Sequence, residues 1–167
     1  MGRSEPLKIF GPKGAKNMHT NIIKAYQPDI DYRIFGTQPQ NSTGYKVIFN
    51  ELKDKFVYQD ENIKVTAFLN DHGDLQESYG FLIETKDKKI LISGDTAMSK
   101  NLISYGENLD YLIHEIYSQK GFNNKTPDWQ KYHQAHHTGP KEVAEIANLL
   151  QPKSLILSHI LFWGSSE

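Results

Sequence analysis

The sequence predicts an α/β fold in which helices pack against a β-sheet. Apolar, strand-like runs recur along the chain, for example over 63–69, 79–85 and 111–115. A helical pattern of apolar residues separates the last strands, since Val143, Ile146 and Leu150 repeat at i, i+3 and i+7. This alternation favours a layered α/β fold over a helix bundle or a β-sandwich. A chain of 167 residues fits one domain, so we expect residues 1–167 to form a single domain.

The first third of the chain predicts few regular elements. Residues 7–10 are typical of a short strand, and Gly-Pro-Lys-Gly at 11–14 predicts a turn into a helix over about 15–26. Pro28, Gly36 and Pro39 predict a long connection over 27–44. Strands are expected at 45–49 and 63–69, with a polar turn region over 54–62.

The remaining residues predict alternating strands and helices. Strands over 79–85 and 89–93 flank a three-residue turn, which indicates an antiparallel hairpin. A helix over about 98–106 and a buried strand over 111–115 follow. Residues 119–135 are expected to form a surface loop or a short helix. Pro140 suits the first turn of a helix that ends near Leu150, and the last strand, 155–157, leads to His159.

Composition excludes several function classes. The 19 basic and 20 acidic residues nearly cancel, so an anionic substrate has to be attracted locally. There is no cysteine, which excludes disulfides, thiolate zinc sites and cysteine nucleophiles. No apolar run is long enough to span a membrane, and the first residues lack a secretory signal. The sequence leaves the location undecided, with the cytoplasm as the default and export not excluded.

Four short stretches place metal-binding or proton-transfer groups just after strand-like runs. They are Asn-Asp-His-Gly at 70–73, Ser-Gly-Asp-Thr at 93–96, His-His-Thr at 136–138 and Leu-Ser-His at 157–159. Strand ends hold side chains rigidly and leave them accessible. His72, Asp95 and His159 are therefore candidate metal ligands, although each alone also suits an ordinary loop, helix-cap or core residue. Imidazole and carboxylate ligands suit zinc, manganese or iron, with zinc the default, and indicate hydrolysis by metal-activated water.

His137 is a candidate for proton transfer. It precedes the helix over 140–150, whose positive N-terminus suits anionic groups, and it could protonate a leaving group. Glu115, at the end of the 111–115 strand, is the carboxylate expected to orient it. We interpret His133 and His136 as members of a polar surface loop and His19 as an exposed residue.

Six aromatic residues near these positions could line a substrate pocket. A role in the core is favoured for most of them, and Trp163, which follows His159, is the best pocket candidate. The six are Tyr117, Phe122, Trp129, Tyr132, Phe162 and Trp163.

The order of these motifs resembles the second half of a metallo-β-lactamase-fold hydrolase of the ribonuclease Z and arylsulfatase-like branch. The resemblance covers nearly the whole chain, from Ile-Phe-Gly-Pro-Lys-Gly at 9–14 through the four stretches above. It implies part of a four-layer αβ/βα sandwich with two metal ions. By that resemblance His72 binds one metal, Asp95 bridges both and His159 binds the second. His137, supported by Glu115, assists departure of the leaving group.

Two departures from the family pattern affect the functional hypothesis. The family carries a His-x-His-x-Asp-His motif upstream of Gly-Pro-Lys-Gly, and this chain has none. We therefore expect a C-terminal portion whose exposed apolar sheet surface favours aggregation or a homodimer. Only 22 residues separate His72 from Asp95, which leaves no room for the tRNA-gripping arm of bacterial ribonuclease Z.

The leading hypothesis is a metal-dependent hydrolase of ester, phosphoester or lactone-like bonds, with this chain supplying the C-terminal half of the site. A small molecule or a phosphodiester is the expected substrate; nucleic acid is disfavoured but not excluded, and no membrane partner is expected. The alternatives are a ribonuclease Z-like phosphodiesterase and a non-catalytic half-domain that binds a partner.

Overall fold

The computed structural model describes residues 3–37 and 41–165. The chain divides into two compact units, Met1–Leu52 and Lys53–Glu167. The expectation that the whole chain forms one domain stays a prediction.

The first unit is a small parallel β-sheet with two helices. Strand β1 (Leu7–Gly11) pairs in parallel with β2 (Val47–Glu51), and α1 (Ala15–Ala25) and α2 (Gln27–Phe35) connect them. The predicted long connection over 27–44 is wrong for its first half, because α2 begins there. Pro28 lies in the first turn of α2, where a proline is tolerated since its missing N–H needs no helical partner. Residues 38–40 of that connection lie outside the described part.

The second unit contains a six-stranded mixed sheet with its strands in chain order. These strands are β3 (Phe56–Gln59), β4 (Ile63–Leu69), β5 (Tyr79–Thr85), β6 (Lys89–Ile92), β7 (Tyr111–Tyr117) and β8 (Ser154–Leu161). The first four strands are antiparallel, with β5 and β6 forming the predicted hairpin, and β7 and β8 extend the sheet in parallel. Strand β3 corrects the predicted turn region, since it pairs with β4 and alternates partly buried with exposed residues.

Four helices complete the second unit. They are α3 (Lys100–Ser104), α4 (Gln119–Asn123), α5 (Pro127–His136) and α6 (Pro140–Leu150). Helices α3 and α6 lie in the crossovers that parallel strands require, and α6 has the ends predicted from its periodicity. Helices α4 and α5 occupy most of the segment expected to be a surface loop or a short helix. The prediction of an α/β fold is confirmed.

The core lies between one face of the sheet and helices α3 and α6. Leu112 of β7 is fully buried and pairs in register with Leu91 of β6, and Ile146 of α6 is buried in the same cluster. Phe68 of β4 stacks on Tyr105 with ring centroids 4.6 Å apart. Burial of each such side chain contributes roughly 1.5–3 kcal/mol to folding. This packing holds the ends of β4, β6, β7 and β8, which all point to the same edge of the sheet.

Strand β8 forms an edge of the sheet and keeps apolar side chains exposed. Leu155, Ile156, Leu157 and Ile160 are each between 38% and 44% exposed. The expected exposed apolar sheet surface is therefore present along this strand, while homodimer formation stays a prediction. Among the described residues, no helix is both long and apolar enough to cross a membrane.

Candidate metal centre

The topology of the sheet brings the four predicted stretches to one edge. Strands β4, β6, β7 and β8 run in the same direction, because β5 is antiparallel to both of its neighbours. Their carboxyl ends therefore lie side by side. His72 follows β4, Asp95 follows β6, Glu115 lies near the end of β7, and His159 lies near the end of β8. Residues far apart in the sequence thus meet at one site.

Three side chains at this edge have the geometry of a metal site. Asp95, His137 and His159 each offer one ligand atom, and these atoms all lie within 4.8 Å of one another. His159 Nε2 is 3.4 Å from Asp95 Oδ2, and both side chains are nearly half exposed. The structure therefore brings together two of the predicted ligands, Asp95 and His159, with the predicted proton-transfer residue His137.

A β-bulge aims His159 at the cluster. The register between β7 and β8 runs from Glu115 opposite Ser158 to Ile116 opposite Ile160, so His159 is the extra residue. Its φ of 43° lies in the left-handed region, which a non-glycine residue adopts at some energetic cost. Bulges of this kind redirect a side chain out of the regular strand alternation. The bulge therefore directs the His159 side chain towards Asp95 and His137.

His137 is held by a buried carboxylate, as predicted. Its Nδ1 lies 2.9 Å from Glu115 Oε2 and 3.1 Å from Oε1. The Glu115 side chain is 1% exposed and that of His137 is 12% exposed, so water competes little for this contact. Because the carboxylate contacts Nδ1, Nε2 of His137 is the nitrogen that remains for a ligand or a proton.

The Glu115 carboxylate is itself fixed by the loop that carries Asp95. The backbone N–H of Thr96 donates to Glu115 Oε1 at 2.6 Å. In return, the hydroxyl of Thr138 donates to the Thr96 carbonyl oxygen at 2.6 Å. These bonds link the residue after Asp95 to the residue after His137. Sequence reasoning missed Thr96 and Thr138, whose only signal was their position directly beside the predicted site residues.

His72 lies beside the cluster but is not one of its three members among the described residues. Its Nδ1 donates to the carbonyl oxygen of His136 at 2.7 Å, since a carbonyl can only accept. This bond selects the tautomer whose Nε2 carries a free lone pair, as a metal ligand requires. The His72 ring centroid is 5.3 Å from that of His137. Its role as a ligand stays a prediction.

Two glycines allow the close approaches that build this edge. Gly73 has a φ of 55°, and a Cβ placed on it would lie 2.1 Å from the ring of His136. Gly94 has a φ of 63°, and a Cβ there would lie 2.6 Å from the carbonyl oxygen of Tyr79. The glycines beside His72 and Asp95 are therefore required by the backbone conformation and by packing.

The interpretation of His133 and His136 as surface-loop residues is wrong. Both lie on α5, with only 9% and 8% of their area exposed. Burial, followed by the nearby charges of His137, Lys125 and His136, lowers the pKa of His133 below its usual range. The prediction failed because the position of a residue around the helix, rather than its polarity, decides which side chains turn inward. His19 is partly buried rather than fully exposed.

The six aromatic residues divide into core and surface groups. Tyr117 and Phe122 are buried and stack on each other, which agrees with the core interpretation. Trp163 is partly buried and stacks on His133, with ring centroids 4.0 Å apart. The core interpretation is wrong for three residues that are at least 39% exposed: Trp129, Tyr132 and Phe162.

Comparison with known protein families gives a match over most of the chain. The family described as "Beta-lactamase superfamily domain" matches residues 23–160. The chain belongs to this superfamily. The resemblance inferred from the motifs is therefore confirmed, and with it the fold class.

The curated relatives of this superfamily member include enzymes named ribonuclease Z. The chain is 26% identical to ribonuclease Z of Mycobacterium sp. (strain KMS) over 158 residues, which cover 93% of this chain and 54% of that relative. It is 25% identical to ribonuclease Z of Mycolicibacterium gilvum (strain PYR-GCK), covering 92% and 54%. These similarities support the ribonuclease Z-like branch. The chain spans about half the length of the curated relatives it matches.

Solved structures show the same fold. The metallo-beta-lactamase fold protein YhfI from Bacillus subtilis superposes with a TM-score of 0.63 at 17% identity, covering 99% of this chain and 57% of that one. The short form of human tRNase Z gives a TM-score of 0.63 at 21% identity, covering 93% and 61%. At these identities the likeness concerns the fold alone.

The family implies divalent metal ions, and the residues present fit them. Two imidazoles and one carboxylate converge within 4.8 Å, and the chain has no thiolate to compete. A nitrogen and oxygen donor set of this kind suits zinc, manganese or iron.

Proposed function

We propose that this chain contributes the C-terminal half of the active site of a metal-dependent phosphodiesterase. The observation that carries the proposal is the convergence of Asp95, His137 and His159, with His137 oriented by the buried Glu115. The names of the curated relatives specify ribonucleases, which cleave phosphodiester bonds. This favours a phosphodiester over the carboxylic ester and lactone substrates that the sequence also allowed.

Asp95 and His159 are the residues that would hold metal in this half of the site, and His72 is a further candidate. A divalent cation, when bound, supplies Lewis acidity toward the phosphoryl oxygen and a water nucleophile near neutral pH. The exposure of Asp95 and His159 leaves this side of the site open to substrate. A carboxylate and an imidazole that follow different strands would hold such a cation at the edge of the sheet.

His137 is proposed to deliver the proton that the leaving group needs. In phosphodiester hydrolysis a water oxygen bonds to phosphorus and its proton passes to solvent, the bond from phosphorus to the leaving oxygen breaks, and that oxygen accepts a proton. Glu115 holds Nδ1 of His137 through a short hydrogen bond, which fixes the orientation of the ring. Nε2 is then the position from which the proton is transferred.

Hydrolysis of bis(p-nitrophenyl) phosphate by the protein that joins this chain to the other half of the site, with added zinc or manganese, tests this function. We expect metal-dependent release of nitrophenol, which Asp95→Asn reduces at least about 100-fold, as expected for loss of a metal-site carboxylate. Glu61→Gln is the matched control, because it makes the same carboxylate-to-amide change at an exposed position in the same unit.

His137→Ala separates the two roles that its position allows. A proton donor predicts that the variant keeps wild-type metal affinity and loses activity mainly on a phosphodiester with an alkyl leaving group, such as a dinucleotide, because nitrophenolate departs without a proton. A ligand predicts that the variant loses metal affinity and activity on both substrates. A completed protein that binds metal stoichiometrically yet hydrolyses neither a phosphodiester nor p-nitrophenyl acetate would support the non-catalytic, partner-binding hypothesis. Hydrolysis of p-nitrophenyl acetate without hydrolysis of the phosphodiester would favour the ester hypothesis instead.

A further inference from the structure

An aromatic surface on α5 leads directly away from the candidate site. Trp129 and Tyr132 are 55% and 47% exposed, although the neighbouring histidines of α5 are buried. Each has a histidine ring partner four residues along the helix. Trp129 stacks on His133 at 5.6 Å between centroids, and Tyr132 stacks on His136 at 4.0 Å. These contacts orient the rings while much of each remains open to solvent.

The histidine partners connect this surface to the site. The His136 ring is 5.0 Å from the His72 ring and 6.4 Å from the His137 ring. One ring therefore separates Tyr132 from both of these predicted site residues. A base stacked on Tyr132 or Trp129 would therefore be close enough to a phosphate at the site for both to belong to one nucleotide.

The same segment carries a local excess of positive charge. Residues 119–136 contain three lysines, Lys120, Lys125 and Lys131, and a single acidic residue, Asp128. The Lys125 ammonium lies 5.6 Å from the ring centre of Trp163. The near-zero net charge of the whole chain thus conceals a basic, aromatic surface at the site. Aromatic rings interleaved with cations are typical of surfaces that bind single-stranded nucleic acid by base stacking.

We propose that Trp129 and Tyr132 form a subsite that stacks the planar base of the nucleotide next to the scissile phosphate, with the α4–α5 lysines attracting the flanking backbone. The inference rests on the proposed phosphodiesterase function and deepens it, because it names the group that distinguishes the substrate from a simple phosphodiester. An uncharged alkyl substituent would gain nothing from this surface.

Two substrates with the same leaving group test the subsite. Thymidine 5′-(p-nitrophenyl phosphate) carries a base, and methyl p-nitrophenyl phosphate does not. We expect the protein with its completed site, loaded with zinc or manganese, to prefer the thymidine ester in kcat/KM, chiefly through a lower KM. Stacking worth about 1–3 kcal/mol per base corresponds to a preference of roughly 5- to 150-fold. Trp129→Ala and Tyr132→Ala should reduce this preference by raising KM for the thymidine ester, with a smaller effect on the methyl ester.

Conservative and distant variants control for damage to the fold. Trp129→Phe keeps an aromatic face and should keep most of the preference. Tyr26→Ala removes an exposed tyrosine of the first unit and should change kcat/KM for neither substrate. Equal kcat/KM for the two esters in the wild type, or a preference that survives both alanine substitutions, would overturn the subsite while leaving the phosphodiesterase proposal intact.

A binding measurement keeps the inference testable if hydrolysis fails. Thymidine 5′-monophosphate and 2-deoxyribose 5-phosphate differ by the base, and calorimetry with the zinc-loaded chain compares their affinities. Tighter binding of the nucleotide, abolished by Trp129→Ala, supports the subsite even without activity. Equal or absent binding of both compounds contradicts it, and would leave these rings as a surface for another part of the protein.

Discussion

The residues of the candidate site form two pairs that differ in exposure. His137 and Glu115 are enclosed, with 12% and 1% of their side-chain area exposed, and the carboxylate also accepts from a backbone N–H. Asp95 and His159 are 46% and 48% exposed, and 3.4 Å separates Asp95 Oδ2 from His159 Nε2. The first pair is part of the folded framework, whereas the second pair lies at the surface, where solvent and ligands can reach it.

This difference in exposure suits the enclosed pair and the open pair to different chemical roles. A proton-transfer group works best when its orientation is fixed before the substrate arrives. Metal ligands at a solvent-exposed edge can be held in place by the cation itself, and their exposure admits substrate and water. The enclosed pair should therefore affect folding when it is changed, and the open pair should affect metal binding.

Glu115→Ala is expected to have the largest effect on stability. It leaves the Thr96 N–H and the His137 ring without their buried acceptor, and each unsatisfied donor costs roughly 1–3 kcal/mol. We expect the free energy of unfolding to fall by about 3 kcal/mol in urea denaturation. Glu107→Ala, at an exposed position, serves as the control. A loss below about 1 kcal/mol would show that the enclosed pair is not part of the framework.

Acidification is expected to destabilise the second unit. Burial lowers the pKa of His114, which is fully buried, and that of His133, below the ordinary value of 6.5. The unfolded chain therefore binds protons more readily, so this contribution to stability is fully present above about pH 6.5 and is lost as the pH falls. The slope is at most about 1.4 kcal/mol per pH unit for each histidine.

Urea midpoints between about pH 7.5 and 5.0 measure this dependence. His114→Gln should flatten the dependence on pH, even if it also lowers stability at the upper end of that range. A midpoint that rises on acidification would contradict the expected direction of the change.

Thr138→Val is expected to have an intermediate effect. The variant keeps the size of the side chain but removes the hydroxyl that donates to the Thr96 carbonyl oxygen. Loss of one buried hydrogen bond should reduce the free energy of unfolding by about 1 kcal/mol. Thr138→Ser retains the donor and should recover most of that loss. If it recovers none, the methyl group rather than the hydroxyl joins the two loops.

Asp95→Asn is expected to have the smallest effect on stability. The contact between Asp95 and His159 is exposed and contributes at most about 1 kcal/mol, so we expect a change below about 0.5 kcal/mol without metal. Zinc should stabilise the wild-type chain against heating and leave the variant unchanged. An equal thermal shift in both proteins would remove Asp95 from the metal site.

The sequence predicts much of this fold because its periodicity is local. The predicted ends of helix α6 and strand β4 agree with the structure, since apolar spacing alone defines them. Helix α2 is missed because Pro28 suggests a break, while at the first turn a proline is compatible with a helix. Strand β3 is missed because its pairing with β4 is not encoded in its own residues.

The candidate site is predictable in composition but not in detail. His72, Asp95, Glu115 and His159 follow from strand ends, which the sequence marks. The bulge that aims His159 comes from the register between β7 and β8, which no local pattern encodes. Two further features depend on which face of α5 packs inward: the burial of its histidines and the exposure of its tryptophan and tyrosine.

Nitrogen-15 NMR of the histidine side chains during a zinc titration tests the assignment of the metal site most directly. The chain has seven histidines, and we predict that one equivalent of zinc shifts the ring nitrogens of His159 most, with smaller shifts at His137. The signals of His19 and the buried His114 should stay unchanged, and Asp95→Asn should abolish the shifts. Zinc-dependent shifts confined to histidines other than His137 and His159 would contradict this assignment.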